Sequence, residues 1–122
     1  MRFTEDSTSG INLIRGYGNG ELRVNEHAYR GGVILSAATV IADANVQNLD
    51  DLLAMGLPRV LALEPELVLL GTGARQIFPA PTVGAQFLRA GIGFEVMDTS
   101  AACRTFNVLV GEQRRVAAIL LL

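Results

Sequence analysis

The first half of the chain carries short apolar runs separated by glycine and asparagine, which is the pattern of antiparallel strands joined by tight turns. In residues 11–24, apolar residues precede Asn19–Gly20, and Leu22 and Val24 alternate with polar residues after it. Asn-Gly fits a type I′ turn, in which both central residues have positive φ. This segment therefore predicts a β-hairpin. A phosphate-binding loop is the competing interpretation of its glycines, but no helical pattern follows them, so the hairpin is favoured.

Residues 27–46 predict one or two further strands, around Val33–Leu35 and Val40–Ile41. The Gly31–Gly32 pair indicates a bulge or a bend in this region. The first ten residues show no periodicity and are expected to be loosely ordered, or to add a short edge strand around Phe3. The first part of the chain is therefore predicted to be rich in β-structure.

A helix is predicted to follow Asn48, a residue type that caps helix N-termini. Asp50 and Asp51 stand in its first turn, where carboxylates interact favourably with the helix dipole. The helix is expected to stop or kink near Gly56–Leu57–Pro58, because proline removes a helical hydrogen bond and its ring clashes with the preceding turn. A second short helical piece is expected to run from Pro58 to Leu63.

The second half of the chain alternates between strand and helix patterns. Residues 67–70 are continuously apolar, which indicates a strand covered on both faces, as in a parallel sheet under helices. The remaining predicted elements are a helix over 82–90 ended by Gly91, a strand over 92–97, a helix after Ser100 ended by Gly111, and a strand over 116–122. The whole chain, residues 1–122, is therefore predicted to form a single α/β domain. We expect a mixed central β-sheet, an N-terminal β-hairpin and helices packed on the sheet.

Composition and charge narrow the classes of function. The net charge is −2 at pH 7 and no basic cluster occurs, which disfavours nucleic acid binding. The longest apolar run, residues 116–122, is well short of the ~18 residues that suggest a membrane span. The first residues lack the pattern of a signal peptide or a mitochondrial presequence, so a cytoplasmic location is expected. With one cysteine and one histidine, the chain is expected to form no internal disulfide and to bind no metal or cofactor.

Several short stretches of the second half resemble a known family. The resemblance is carried by Gly71–Thr72–Gly73, Gly91, Glu95–Thr99, Ala102–Thr105, Asn107, Glu112, Arg114 and Arg115, and more loosely by Arg15, Gly16 and Val33–Ile34. From about residue 64 the chain is similar to a small domain of unknown function of bacteria and archaea. The eukaryotic member of that family is a mitochondrial respiratory complex I assembly factor, and its fold is named after a methanogen protein. The resemblance implies an α/β domain with a mixed central sheet and, for the eukaryotic member, work among protein partners, but it implies no reaction. Because this chain lacks a mitochondrial presequence, the location of the eukaryotic member is not expected here.

A candidate site is predicted where the strands 67–70 and 92–97 end. If these strands are parallel neighbours, their C-terminal ends share the edge at which open α/β sheets bind ligands. The small residues Gly71–Thr72–Gly73 would then lie beside Asp98 and Thr99, at the start of the following helix. The competing interpretation is that two βα turns need small residues, and that Asp98 and Thr99 cap the helix. The candidate binding residues at this edge are Gly71, Thr72, Gly73, Asp98, Thr99, Cys103, Arg104 and Asn107.

One face of the predicted helix carries Thr99, Cys103 and Asn107 at intervals of four residues. A cysteine in the first turn of a helix can be a reactive thiolate, whereas most free cysteines are buried and inert. The packed interpretation is favoured for Cys103, since the only histidine, His27, falls in a turn-like stretch and is expected at the surface. Asn107 is expected to cross-link a neighbouring loop, such as the one at Thr72, or to contact a ligand.

The remaining charged residues predict solvated surface. Arg104, Arg114 and Arg115 are expected on a solvated face, with an anion clamp as the alternative, and Glu64 and Glu66 are expected in a solvated turn.

The sequence shows no activated residue, so no catalytic residue is assigned. The favoured function is a non-enzymatic domain that binds a protein partner or associates with itself, as an accessory in assembly or maturation. The alternative is a small-molecule or anion-binding domain, with or without catalysis, that uses the loops 71–73 and 98–107.

Overall fold

The structure is a computed structural model that describes residues 10–122. The expectations for the first nine residues, including Phe3, lie outside this range. The described strands are β1 (Ile14–Gly18), β2 (Glu21–Val24), β3 (His27–Arg30), β4 (Gly32–Ser36), β5 (Val40–Asp43), β6 (Leu67–Gly71), β7 (Gly93–Met97) and β8 (Val116–Leu121). The described helices are α1 (Leu49–Ala62), α2 (Pro81–Arg89) and α3 (Thr99–Gly111).

The strands form two sheets, a small antiparallel one with the order β1-β2-β3 and a larger one with the order β5-β4-β8-β6-β7. In the larger sheet β4 is antiparallel to β5 and β8, whereas β6 is parallel to both of its neighbours, β7 and β8. The predicted α/β fold with a mixed central sheet and an N-terminal hairpin is confirmed.

The hairpin of β1 and β2 turns at Asn19 and Gly20, whose φ angles are 54° and 74°. Both values are positive, as the predicted type I′ turn requires. A third strand, β3, then pairs with β2, with His27 opposite Val24. The turn expected in this stretch is present at Asn25, which has φ 52°, and Glu26, and His27 directly after it is the first residue of β3.

The predicted bend at Gly31–Gly32 is where the chain passes from the small sheet to the large one. Gly31 has φ +85°, and a Cβ there would overlap the carbonyl oxygen of Asp43 and the backbone of Ala44. Its own carbonyl accepts a hydrogen bond from the N–H of Leu122 at 2.8 Å. Only glycine satisfies both the backbone angle and the close approach.

Helix α1 begins as predicted, because the side chain of Asn48 accepts a hydrogen bond from the N–H of Asp51 at 2.8 Å. A stop near Pro58 and a separate helical piece from Pro58 to Leu63 were wrong, since one helix continues to Ala62 with Pro58 inside it. The alternative of a kink at Pro58 stays a prediction. Val60 is fully buried beyond the proline, and Gly56 is covered by side chains of the large sheet. Burial of this apolar face offsets the hydrogen bond that the proline removes.

Side chains of the large sheet alternate between two cores. On one face they pack against α1 and α2, and on the other they pack against α3 and the small sheet. Strand β8 shows the alternation, because Ala118 and Leu120 belong to the α3 core and Ala117 and Ile119 belong to the α1/α2 core. Strand β6 is likewise covered on both faces, as its continuous apolar sequence predicted. The loops after β6 and β7 are thereby held at one edge of the sheet.

Candidate functional site

The two loops of the predicted site lie side by side, because β6 and β7 are parallel neighbours. The N–H of Thr72 donates to the carbonyl of Met97 at 3.0 Å, and the N–H of Thr99 donates to the carbonyl of Gly73 at 2.9 Å. The predicted adjacency of these segments is therefore confirmed. Their role in binding stays a prediction.

Thr99 joins three elements at this edge. Its side chain is fully buried, and its hydroxyl accepts a hydrogen bond from the N–H of Gly73 at 2.7 Å and donates one to the carbonyl of Leu121 at 2.7 Å. A Cβ at Gly71 would lie 2.9 Å from the same hydroxyl oxygen, so glycine lets the helix start approach the strand. The hydroxyl is thus bonded within the protein as both donor and acceptor.

Asp98 is the N-cap of α3, as expected, and its carboxylate accepts from the N–H of Ala101 at 2.8 Å. The expectation that Thr99 shares this capping role was wrong, since Thr99 is the first residue of the helix and its hydroxyl bonds to other elements. Thr72 shapes its own loop in a similar way. Its hydroxyl donates to the carbonyl of Arg75 at 2.5 Å and accepts from the N–H of Ile77 at 3.0 Å.

Cys103 is packed in the core with only 6% of its surface exposed. Burial raises the pKa of its thiol to about 11, and the guanidinium of Arg104 opposes this only in part. The thiol is therefore protonated at neutral pH, and the packed interpretation of Cys103 is confirmed. Within residues 10–122, no hydrogen bond links the exposed His27 to this thiol, and the predicted surface position of His27 is confirmed.

Tyr17 is a neighbour of this site that sequence reasoning missed. It packs against the core cluster that contains Cys103, close enough to the Thr99 hydroxyl for that group to affect its pKa. Burial is the main cause that raises the pKa of Tyr17, and the thiol and the Asp98 carboxylate add to it, whereas the hydrogen bond with Thr99 acts in the opposite direction. No local signal marks Tyr17, because the contact depends on how the small sheet packs against α3.

Asn107 binds the backbone of strand β1 rather than the loop at Thr72. Its side-chain oxygen accepts from the N–H of Ile14 at 2.9 Å, and its side-chain nitrogen donates to the carbonyl of Ile14 at 2.8 Å. The expected cross-link therefore exists, but the suggested partner Thr72 was wrong. The amide side chain takes the place of a neighbouring strand and pairs with both groups of one peptide position.

The remaining predicted residues lie at the surface. Arg104 is exposed and donates to the hydroxyl of Ser100 at 2.9 Å. Glu66 does more than occupy a solvated turn, since its carboxylate accepts from Arg114 Nε at 2.8 Å and from the N–H of Arg115 at 3.1 Å. The hydrogen bond from the Arg115 backbone, followed by that from Arg114, lowers the pKa of Glu66.

A groove that the sequence did not predict lies on the α1/α2 face of the sheet. Its volume is about 400 Å³, and it runs between the start of α1 and the segment that leads into α2. Among its lining residues, Ile77 and Phe78 are 44% and 72% exposed, and Asp50 stands at its α1 side. Two adjacent exposed apolar side chains beside a groove make this surface a candidate for contact with another molecule.

The described residues give no sign of two other kinds of site. Across residues 10–122, no group of three or more His, Cys, Asp or Glu side chains is placed to hold a metal ion. Over the same range, no helix combines the length and the apolar character that crossing a bilayer requires.

Residues 14–121 match the model of a protein family described as a protein of unknown function (DUF498/DUF598). The chain belongs to the DUF498/DUF598 family. The match begins at β1 and ends at β8, so it includes both sheets and all three described helices. The predicted resemblance to a domain of unknown function is thereby confirmed.

Two relatives in this family carry different names. A 13 kDa major membrane protein of Francisella tularensis is 30% identical over 122 residues, which cover 99% of each chain. The NADH dehydrogenase (ubiquinone) 1 alpha subcomplex assembly factor 3 of Danio rerio is 36% identical over 97 residues, which cover 75% of this chain and 56% of that protein. This DUF498/DUF598 chain therefore spans little more than half the length of the zebrafish relative.

Two solved structures have the same fold. A crystal structure of a Bordetella parapertussis protein has a TM-score of 0.82 at 36% identity, with 93% of this chain and 98% of that chain covered. A solution structure of an Mth938-like domain of Bordetella pertussis has a TM-score of 0.79 at 29% identity, with 99% and 92% covered. The DUF498/DUF598 chain thus has the Mth938-like fold.

Proposed function

We propose that this protein is a protein-interaction domain that acts as an accessory in the assembly or maturation of a larger protein. The observation that carries the proposal is the groove beside Phe78, where a large aromatic side chain stands mostly in solvent. The zebrafish relative supports it, because that protein is named as an assembly factor and shares 36% identity with this chain.

The groove favours an apolar partner side chain that is flanked by a basic residue. Ile77, Phe78 and Leu53 supply apolar walls, while the carboxylate of Asp50 lies at the α1 side. Burying the exposed part of a phenylalanine side chain contributes about 2–3 kcal/mol, which is the size of an interface hot spot. An opposite charge at the rim would affect mainly the association rate and its dependence on salt.

The experiment compares two exposed apolar residues, of which only one lines the groove. Wild-type protein, Phe78→Ser and Leu88→Ser are used to capture partners from a lysate of the native host, and the captured partner is then purified and titrated. We expect Phe78→Ser to weaken its binding by roughly 30-fold or more, and Leu88→Ser to bind like the wild type. Asp50→Lys should slow association with a basic partner. Unchanged binding by Phe78→Ser would overturn the groove as the docking surface.

The loops 71–73 and 98–107 remain the candidate for a small-molecule or anion site, with Gly71, Thr72, Gly73, Asp98, Thr99, Cys103, Arg104 and Asn107 as its residues. The half-buried phenol of Tyr17 adds a polar group to this cluster. The proposal is weaker than the groove, because the Gly73 amide and the Thr99 hydroxyl are already bonded to protein atoms. A thermal-shift screen tests it, since a ligand at these loops should stabilise the wild type and not the Arg104→Ala variant.

A further inference from the structure

Among residues 10–122, strand β7 is an outer strand of the large sheet, with β6 as its one neighbour. On its inner side, towards β6, the N–H of Gly93 donates a hydrogen bond at 3.0 Å and the carbonyl of Met97 accepts one at 3.0 Å. Peptide groups alternate in direction along a strand, so those of Phe94 and Val96 point away from β6.

One of these outward groups is already bonded. The side-chain amide of Gln76 donates to the carbonyl of Val96 at 2.9 Å. The N–H and carbonyl of Phe94 and the N–H of Val96 have no hydrogen-bond partner among residues 10–122. These three groups lie in succession on the outer side of β7, in the arrangement that pairs with a neighbouring strand in a sheet. They can therefore pair with one further strand.

The side chains of β7 determine which strand fits. Phe94 and Val96 pack with the α1/α2 core, and the ring of Phe94 stacks on that of Phe87 with centroids 4.6 Å apart. Glu95 lies between them in sequence and its side chain is exposed on the opposite face. An added strand would place apolar residues beside Phe94 and Val96 and one residue beside the Glu95 carboxylate, where a positive charge is stabilising.

We propose that the open edge of β7 binds an extended segment of a partner protein, in which a lysine or arginine is flanked by apolar residues. A second copy of this chain fits less well. If Phe94 paired with Val96 of a second copy around a two-fold axis, the two Glu95 side chains would stand directly opposite, and like charges in that position are destabilising. No residue of β7 lines the groove at Phe78, so a strand bound at this edge does not require the groove.

The probe is a pair of capped peptides, Thr-Val-Lys-Val-Thr and Thr-Val-Glu-Val-Thr, added to the isotopically labelled protein. The lysine peptide is expected to shift the amide resonances of Phe94 and Val96 and to slow their hydrogen exchange, while Gly93 and Glu95, already paired with β6, change less. Its affinity should exceed that of the glutamate peptide roughly two- to tenfold. Glu95→Lys should reverse this preference, because the exposed side chain changes sign without disturbing the core. Phe78→Ser serves as the control and should leave both affinities unchanged.

Four results would contradict the proposal. The first is the absence of any change at Phe94 and Val96 with millimolar peptide, and the second is equal binding of both peptides by the wild type and by Glu95→Lys. The third is protection of the same amides in the protein alone at concentrations at which it dimerises, which would assign the edge to a second copy. A loss of peptide binding in Phe78→Ser would show that the peptide uses the groove, and would also contradict binding at β7.

Discussion

Replacing Asn107 by alanine is expected to detach the start of β1 from α3. The side chain of Asn107 holds both backbone groups of Ile14, at 2.9 Å and 2.8 Å, across 93 residues of sequence. Within residues 10–122, Ile14 N–H and carbonyl have no other side-chain partner on that side of β1. The truncation therefore leaves one donor and one acceptor without the bonds that the fold provides.

The expected change in the free energy of unfolding has two parts, the loss of these two hydrogen bonds and the higher helix propensity of alanine. Each hydrogen bond in this half-buried setting contributes about 1 kcal/mol, so their loss removes about 2 kcal/mol, with more if water does not reach Ile14. Alanine returns about 0.5 kcal/mol, because it is a better helix former than asparagine. We expect the free energy of unfolding to fall by about 1.5–2.5 kcal/mol, which for a chain of this length corresponds to a melting temperature lower by roughly 5–12 °C.

The assay is urea unfolding followed by circular dichroism, with Val108→Ala as the matched control. Val108 is the next residue of α3 and is 58% exposed, so its replacement reports the helix propensity alone. A second variant, Asn107→Asp, keeps the acceptor for the Ile14 N–H and places a carboxylate against the Ile14 carbonyl, so it too should be destabilised. Equal stability of Asn107→Ala and Val108→Ala, within about 0.5 kcal/mol, would refute the reasoning.

The other predictions concern a buried hydroxyl, a glycine turn and a buried thiol. Thr99→Val should lower the free energy of unfolding by about 2–3 kcal/mol, because the hydroxyl bonds as donor and acceptor. Thr105→Val should cost less, since its hydroxyl bonds back within α3, and equal losses in urea unfolding would contradict this. Gly31→Ala should lower the free energy of unfolding by more than about 3 kcal/mol, whereas Gly111→Ala should not, because a Cβ at Gly111 meets open space. Similar urea midpoints for the two variants would contradict the overlap of a Cβ at Gly31 with the backbone of Asp43 and Ala44. The pKa of Cys103, raised to about 11, means that native protein should react with a thiol reagent only on unfolding. Stability should also fall as pH rises from about 9 towards 11, since the unfolded thiol ionises first. Cys103→Ala should lose that part of the pH dependence, and rapid labelling of native protein would contradict the burial.

The elements that the sequence predicted well are those with local signals. The hairpin turn is set by Asn19–Gly20, and the N-caps Asn48 and Asp98 bond to the residues that their positions indicate. The errors fall where tertiary packing overrides local preference. Pro58 is tolerated inside α1 because the burial of Val60 holds the helix on the sheet beyond it.

The candidate site also contains some contacts that the sequence predicts and others that depend on tertiary packing. The adjacency of the loops at Gly73 and Thr99 could be predicted, because it follows from two parallel strands that are neighbours. The pairing of Asn107 with Ile14 could not, since nothing near either residue specifies a contact 93 positions away. The exposure of Phe78 could not be predicted from the sequence either, for a different reason. An aromatic residue in a sequence predicts core, and only the packing shows that it stands outside.

The side chains of Thr99, Cys103 and Asn107, on one face of α3, contact other elements of the domain. This leaves less of that face available to a partner. Thr99 bonds to the ends of β6 and β8, Cys103 packs in the core, and Asn107 holds β1. The polar groups of the first and last of these residues are occupied by protein atoms, and the thiol is protonated. Within residues 10–122, the two surfaces that we propose for partner binding lie elsewhere, in the groove on the α1/α2 face and along the outer side of β7. An apolar groove and a strand edge both suit a polypeptide better than a small polar substrate, and this favours a docking role for the domain.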